Sequence, residues 1–266
     1  SALCLAIFAS AITLAGCGNN VPSFLRTDDT PNYNIVGGEK LAVPANFVDS
    51  QSYGSMLVIA SWPEMEGRPR DGAAYKHYAE SNIRIHARPG GPRSLDISYR
   101  INLLEEDSKG RRWKTKPAGV AYGFDRSIIR FSDVDLAQNY GSRDIYVRRN
   151  SKGDFQAVMR CDGGPSPPGQ SAQCELFEIF PELPGIEFAI GFDRDEALSQ
   201  VNDIERAVRD KFLLFRRNGE KAFREDEKAR AAFLSVEQKL AESRSAPVTY
   251  AKSPPAAKLF SDRTKK

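Results

Sequence analysis

The sequence predicts an α+β domain: a mostly antiparallel sheet with a C-terminal amphipathic helix packed on it. Three observations carry that prediction. From Leu95 to Leu103 apolar and polar residues alternate, with Leu95, Ile97, Tyr99, Ile101 and Leu103 on one side and Asp96, Ser98, Arg100 and Asn102 on the other. A strand with one wet face belongs to an antiparallel sheet. Ser-Lys-Gly occurs twice, at Ser108–Gly110 and Ser151–Gly153, and a glycine closing such a turn supplies the positive φ that hairpin loops need. From Leu198 onward Val201, Ile204, Val208, Phe212 and Phe215 recur at spacings of three and four, which is one apolar stripe along a helix.

The elements follow in order. Ser55 to Ala60 is short and β-branched, a buried strand. Ala73 to Ser81 reads as one or two helical turns, and Asn82 to Ala87 as a strand with Ile83, Ile85 and Ala87 inward and Arg84 and His86 outward. After Leu103 the Asp107–Gly110 turn sends the chain back along Arg111 to Lys116. Further strands are expected at Ser127–Phe131, Arg143–Arg149, Phe155–Cys161, Cys174–Phe180 and Ile186–Phe192. In the Cys174–Phe180 strand, Glu175 and Glu178 separate the apolar positions. Asp193 and Glu196 form an N-terminal capping pair for the helix, and Asn218-Gly219 reads as its end at Arg217. Glu220 to Arg244 is charge-dense, an exposed helix, and the text after Pro247 reads as disordered.

The N-terminus carries a different signal. Leu3 to Ala15 is apolar or small, shorter than the about 20 residues a membrane span needs, and has the length of a signal-peptide core. It ends in Leu14-Ala15-Gly16-Cys17, which resembles the lipobox of bacterial lipoprotein signals at every position. A basic stretch normally precedes such a run, so the sequence is expected to begin inside the signal. The resemblance implies cleavage before Cys17, acyl chains on that cysteine, and sorting to the outer membrane facing the periplasm, since Gly18 rather than Asp follows. Several acyl chains hold a protein firmly where one does not. On this reading residues 1–16 are signal peptide and 17–54 the lipidated cysteine and a tether, with Ile35, Val36, Phe47 and Val48 placed to dock. Residues 55–218 are the globular domain, and 219–266 a charged helical or disordered tail.

With Cys4 removed and Cys17 acylated, only Cys161 and Cys174 remain, an even pair that an oxidising periplasm joins in a disulfide. Twelve residues separate them, unlike a Cys-x-x-Cys redox motif. His77 and His86 are the two histidines of the chain and lie in no Cys or His cluster. Ser132-Asp133-Val134-Asp135 lacks calcium-loop spacing. Ile35-Val36-Gly37-Gly38 and Cys161-Asp162-Gly163-Gly164-Pro165 echo serine-protease segments, but no serine stands between Asp162 and Gly163, and a nucleophile needs an oriented base. No catalytic site, metal or cofactor is expected, and a net charge of +3 is too small for a nucleic-acid footprint.

What remains is binding. Arg111, Arg112, Trp113, Lys114 and Lys116, with Arg148, Arg149 and Lys152, would form a basic rim if the two hairpins are neighbours. Such a rim suits an acidic protein or anionic lipid, or is a solvated edge guarded by charge. The loop Asp162–Gln173, clamped by the disulfide, is a second candidate. The plan of lipobox, tether and one disulfide-stabilised α+β domain resembles that of periplasmic immunity lipoproteins. It implies a non-catalytic, lipid-anchored protein that neutralises a secreted antibacterial toxin such as a lipase. The alternatives are an envelope assembly or secretion-apparatus lipoprotein that binds its complex through Glu220–Lys266, and an envelope hydrolase.

Overall fold

In the computed structural model the residues described are 28–69, 82–91, 94–95, 113–131, 142–164 and 171–245. They form a nine-stranded antiparallel sheet, a separate two-stranded hairpin and two long helices, the first of which packs on one face of the sheet. The strands are β1 (Pro31–Val36), β2 (Glu39–Pro44), β3 (Val48–Ser52), β4 (Ser55–Ser61), β5 (Asn82–Pro89) and β6 (Trp113–Ala121). They continue as β7 (Phe124–Phe131), β8 (Arg143–Arg149), β9 (Phe155–Asp162), β10 (Gln173–Glu178) and β11 (Ile186–Asp193). A short helix α1 (Arg194–Ala197) leads through one 3₁₀ turn into α2 (Val201–Glu225) and then α3 (Glu227–Ser245).

The strand order is β3-β4-β5-β11-β10-β9-β8-β7-β6. Chain neighbours pair as hairpins except in the middle, where β11 returns to lie between β5 and β10. This insertion joins the two halves of the sheet. It makes β11 buried on its core face along its whole length, with Ile186, Phe188, Ile190 and Phe192 inward. Against them lies the predicted helical stripe: Val201, Ile204, Val208, Phe212 and Phe215 are all buried. Phe212 meets Phe188 edge-on at 4.8 Å and Phe215 at 5.4 Å, the tilted geometry that aromatic quadrupoles favour. The predicted N-cap is present: Asp193 Oδ1 accepts from the amides of Asp195 (2.8 Å) and Glu196 (3.1 Å).

Three boundaries differ from the sequence reading. The expected tether does not extend to residue 54, because β1 and β2 form a hairpin through Gly37-Gly38, both at positive φ. Val36, Leu41, Val43 and Val48 are buried in the main core. β1 shows no clean alternation because it buries a polar residue, Asn34, whose Nδ2 donates to the carbonyls of Ser52 and Ser55. The helix does not stop at Asn218-Gly219 but runs to Glu225. Gly219 is there because β2 crosses so closely that a Cβ would lie 2.3 Å from the Lys40 carbonyl oxygen. The charged segment after it is helical as expected, but through Ser245 it packs on the fold instead of trailing from it. Asp226 leaves the helical conformation, caps α3 through the amides of Lys228 and Ala229, and reverses the chain. α3 then docks on β1, with Phe233 buried between Tyr33 and Phe223.

β6 pairs with β7 across the two-residue turn Tyr122-Gly123, so the described part of the expected Arg111–Lys116 arm, from Trp113, belongs to a longer strand that hairpins forward. Of the expected strand Leu95–Leu103, Leu95 is described and stands in a helical turn, and the remainder lies outside the described residues. The expected turns of helix at Ala73–Ser81, and His77, also lie outside them, as do the Asp107–Gly110 turn, Ser132–Asp135, the signal segment with Cys17 and everything after Ser245.

Candidate functional site

The expected basic rim does not assemble from β8. Arg148 and Arg149 are consecutive on one strand, so their side chains leave opposite faces of the sheet. Arg149 lies over the Phe155 ring at 3.9 Å and donates to the Gly153 carbonyl at 2.8 Å. Arg148 turns under α2. Its Nη1 and Nη2 each donate to Glu205 at 2.9 Å, Nη2 also donates to Glu178 at 2.7 Å, and its guanidinium covers the Phe124 ring at 4.6 Å. Trp113 opens β6, opposite Phe131 of β7. Arg111 and Arg112 lie outside the described residues.

Arg148 thus holds two carboxylates with one charge. Burial, and then the neighbouring Glu205 carboxylate, push Glu178 up to about 8 against the opposing pull of Arg148. Both effects favour the protonated form of Glu178, which would leave the trio close to neutral inside the protein. Buried ion pairs seldom add net stability, but removing one partner strands the other. The signal for this trio was present. Glu178 shares the inward register with Cys174 and Leu176, so it is an acid at a core position rather than a separator between apolar ones.

Cys161 and Cys174 stand directly opposite each other on β9 and β10, with Cα atoms 4.1 Å apart, and are joined as a disulfide. The loop between the two strands is held at its ends. The Gln173 amide donates to Asp162 Oδ2 at 3.1 Å, and Arg194 donates to the carbonyls of Asp162 and Gly164.

The face of the sheet away from α2 carries a cavity of about 610 Å³ beside this loop. Its floor follows β11 through Ala189, Gly191 and Asp193. One cross-strand row runs Arg84, Gly191, Glu175, Arg160 over β5, β11, β10 and β9. The next runs His86, Ala189, Phe177. Small residues on the central strand, with long ones to either side, make a groove. Arg160 pairs with Glu175 at 3.1 Å, and Arg84 is exposed and has no ion-pair partner among the described residues. Burial, and then Arg88, hold His86 below its ordinary value, opposed by Glu175. At the far end of the sheet the β6–β7 turn exposes Val120 and Tyr122. Sequence reading singled out the loop Asp162–Gln173, whose Ser171 and Gln173 line the groove, but not its floor, because Arg84 and His86 look like any wet face and Gly191 like any strand glycine.

The architecture defines an α+β protein: an antiparallel sheet with a long helix packed on one face. Among solved structures, one similar chain is an immunity protein of the Stenotrophomonas maltophilia type IV secretion system. It matches with a TM-score of 0.50 and 18% identity, over 69% of this chain and 92% of that one. The two chains share a fold. No protein-family model and no curated protein matches the sequence.

Proposed function

We propose that this chain is an immunity lipoprotein. It is held on the envelope, at the outer membrane and facing the periplasm, by acyl chains on Cys17, and it neutralises a secreted antibacterial toxin, such as a lipase, by binding and without catalysis. The observation that supports the reading most is the extent of the fold match, which spans 92% of an immunity protein. The lipobox Leu14–Cys17 supports the anchor. Function follows sites rather than folds, so the test is direct. The full chain, expressed in sensitive bacteria, should protect them from toxin-bearing competitors and should co-purify with one secreted toxin in a one-to-one complex. Cys17→Ser should release the protein from membranes or leave it unprocessed. Unprotected cells with correctly processed protein would overturn the immunity role, and unaltered membrane association of processed Cys17→Ser would overturn the anchor. The envelope-assembly alternative would use the charged segment Glu220–Lys266, whose described part is the expected helix, docked on β1 through Phe233.

A further inference from the structure

We propose that the outward face of α2 in its second half, the row Leu214, Arg217, Lys221 and Arg224, is a docking surface for an anionic lipid bilayer. The proposal rests on the anchor at Cys17 in the reading above, which brings a bilayer within reach, and adds a second contact to it.

The charge of this face is unbalanced. Residues three and four apart share one side of a helix, and Leu214, Arg217, Lys221 and Arg224 are spaced so, over about 15 Å of axis. All four are exposed. From Lys211 to Glu225 the helix carries five basic residues against two acidic ones. Those two acids are engaged: Glu220 lies 3.8 Å from Arg216, and Glu225 lies 3.9 Å from Lys221. Arg217 and Arg224 have no ion-pair partner among the described residues. The first half of the same face differs, because Arg206 pairs with Asp203 at 3.2 Å and Arg209 with Asp210 at 3.1 Å. Past the helix end, Asp226 holds the amides of Lys228 and Ala229, and Glu227 is offset by Lys228 and Arg230.

The occupant that fits is a membrane surface. A helix face is convex, so a row of separate charges along it meets a flat sheet of anionic headgroups rather than a guest in a cleft. Arginine and lysine stems lie along apolar surface while their ends stay in water. Leu214, 42% exposed, adds an apolar contact at the start of the row, and a basic helix face with an exposed leucine is the pattern of interfacial binding. The course of the chain supplies the proximity. Asp29, at the start of the described fold, lines the same cavity as Lys211 of α2. Cys17 stands twelve positions before Asp29, and that length of chain reaches at most about 40 Å. Acyl chains on that cysteine would therefore keep the middle of α2 near the bilayer, where each basic residue multiplies affinity for anionic lipid about fivefold.

The test uses the full chain, added from detergent to preformed vesicles of phosphatidylcholine alone or of equal parts phosphatidylcholine and phosphatidylglycerol. A water-soluble amine reagent modifies exposed lysines, and mass spectrometry reads the rate at each one. Lys221 should react at least about fivefold more slowly on the anionic vesicles, and high salt should restore its rate. Lys152, exposed in the β8–β9 turn, should react at the same rate on both. Arg217→Glu combined with Arg224→Glu should abolish the protection of Lys221, with circular dichroism and thermal unfolding like wild type. Equal reaction of wild-type Lys221 on both vesicles, or protection that survives in the folded double variant, would overturn the proposal. So would protection by a captured acidic protein without protection by lipid, which would assign the face to a protein. The two readings fail separately, because the mass of the vesicle-bound chain shows whether Cys17 is acylated. An acylated chain with unprotected Lys221 removes the docking and leaves the anchor. Protected Lys221 on a chain without acyl groups removes the anchor and leaves the docking.

Discussion

Along β11, Ile186, Phe188, Ile190 and Phe192 face the helix, while Glu187, Ala189, Gly191 and Asp193 face away from it. The same alternation separates Arg148, locked beneath α2, from Arg149, which lies on the other side of the sheet. One face is filled to crystal-like density by large apolar side chains. The other has ion pairs, small residues, a cavity and a small apolar cluster of Leu95, Phe177 and Ala189. What this teaches is that the same strands can carry a large apolar core on one side and paired, partly exposed polar groups on the other, so that substitutions on one side need not disturb the other.

The comparison can be broken first where it is expected to be strongest. Phe212→Ala removes a ring packed on Phe188 and Phe215 and should cost about 3–5 kcal/mol in denaturant unfolding. A loss below about 1 kcal/mol would mean that the helix is not the keystone of that face. Arg148→Ala should cost about as much, roughly 3–5 kcal/mol, because Glu205 is left buried without its partner. Replacing Arg148 by Met with Glu178 and Glu205 both changed to Gln should recover most of it.

The same trio gives the core face a pH signature. Glu178 binds its proton more tightly in the folded protein, at about 8, than an ordinary carboxyl does in the unfolded chain. Between those two values the folded state holds more protons, so stability should fall as pH rises from about 5 toward 8 and level off above. Glu178→Gln should flatten that slope, which unfolding midpoints at several pH values would show. A slope unchanged by the substitution would assign it elsewhere.

Two glycines sharpen the contrast at smaller scale. Gly219→Ala improves helix propensity by about 1 kcal/mol, yet should destabilise by about 1–3 kcal/mol, since the new Cβ meets the β2 backbone. Gly191→Ala, on the opposite face, meets among the described residues only Arg84 at 3.9 Å and should stay within about 0.5 kcal/mol of wild type. Equal effects at the two positions would dissolve the distinction between the faces.

How much was legible follows from range. The strands at Ser55–Ser61, Asn82–Pro89 and Ile186–Asp193 and the stripe from Val201 to Phe215 were readable, because a period of two or 3.6 is imposed by the element itself. The β1–β2 hairpin was not, because buried Asn34 breaks its pattern and the carbonyls that satisfy it come from the turn between β3 and β4. Asn218-Gly219 was misleading for a similar reason. The local text matches a helix end, but the demand for a bare Cα came from Lys40, far away in sequence.

The sequence by itself determined the α+β class, most strand positions, the capping Asp193 and the Cys161–Cys174 pairing, all of which depend on composition or short-range spacing. Only the tertiary structure decided that β11 lies between β5 and β10, that Arg148 serves two carboxylates, and that Arg84, Gly191, Glu175 and Arg160 stand in one row. Those relations join residues tens of positions apart, and what brings them together is burial of an apolar face, a force that acts on area and leaves no local mark in the chain.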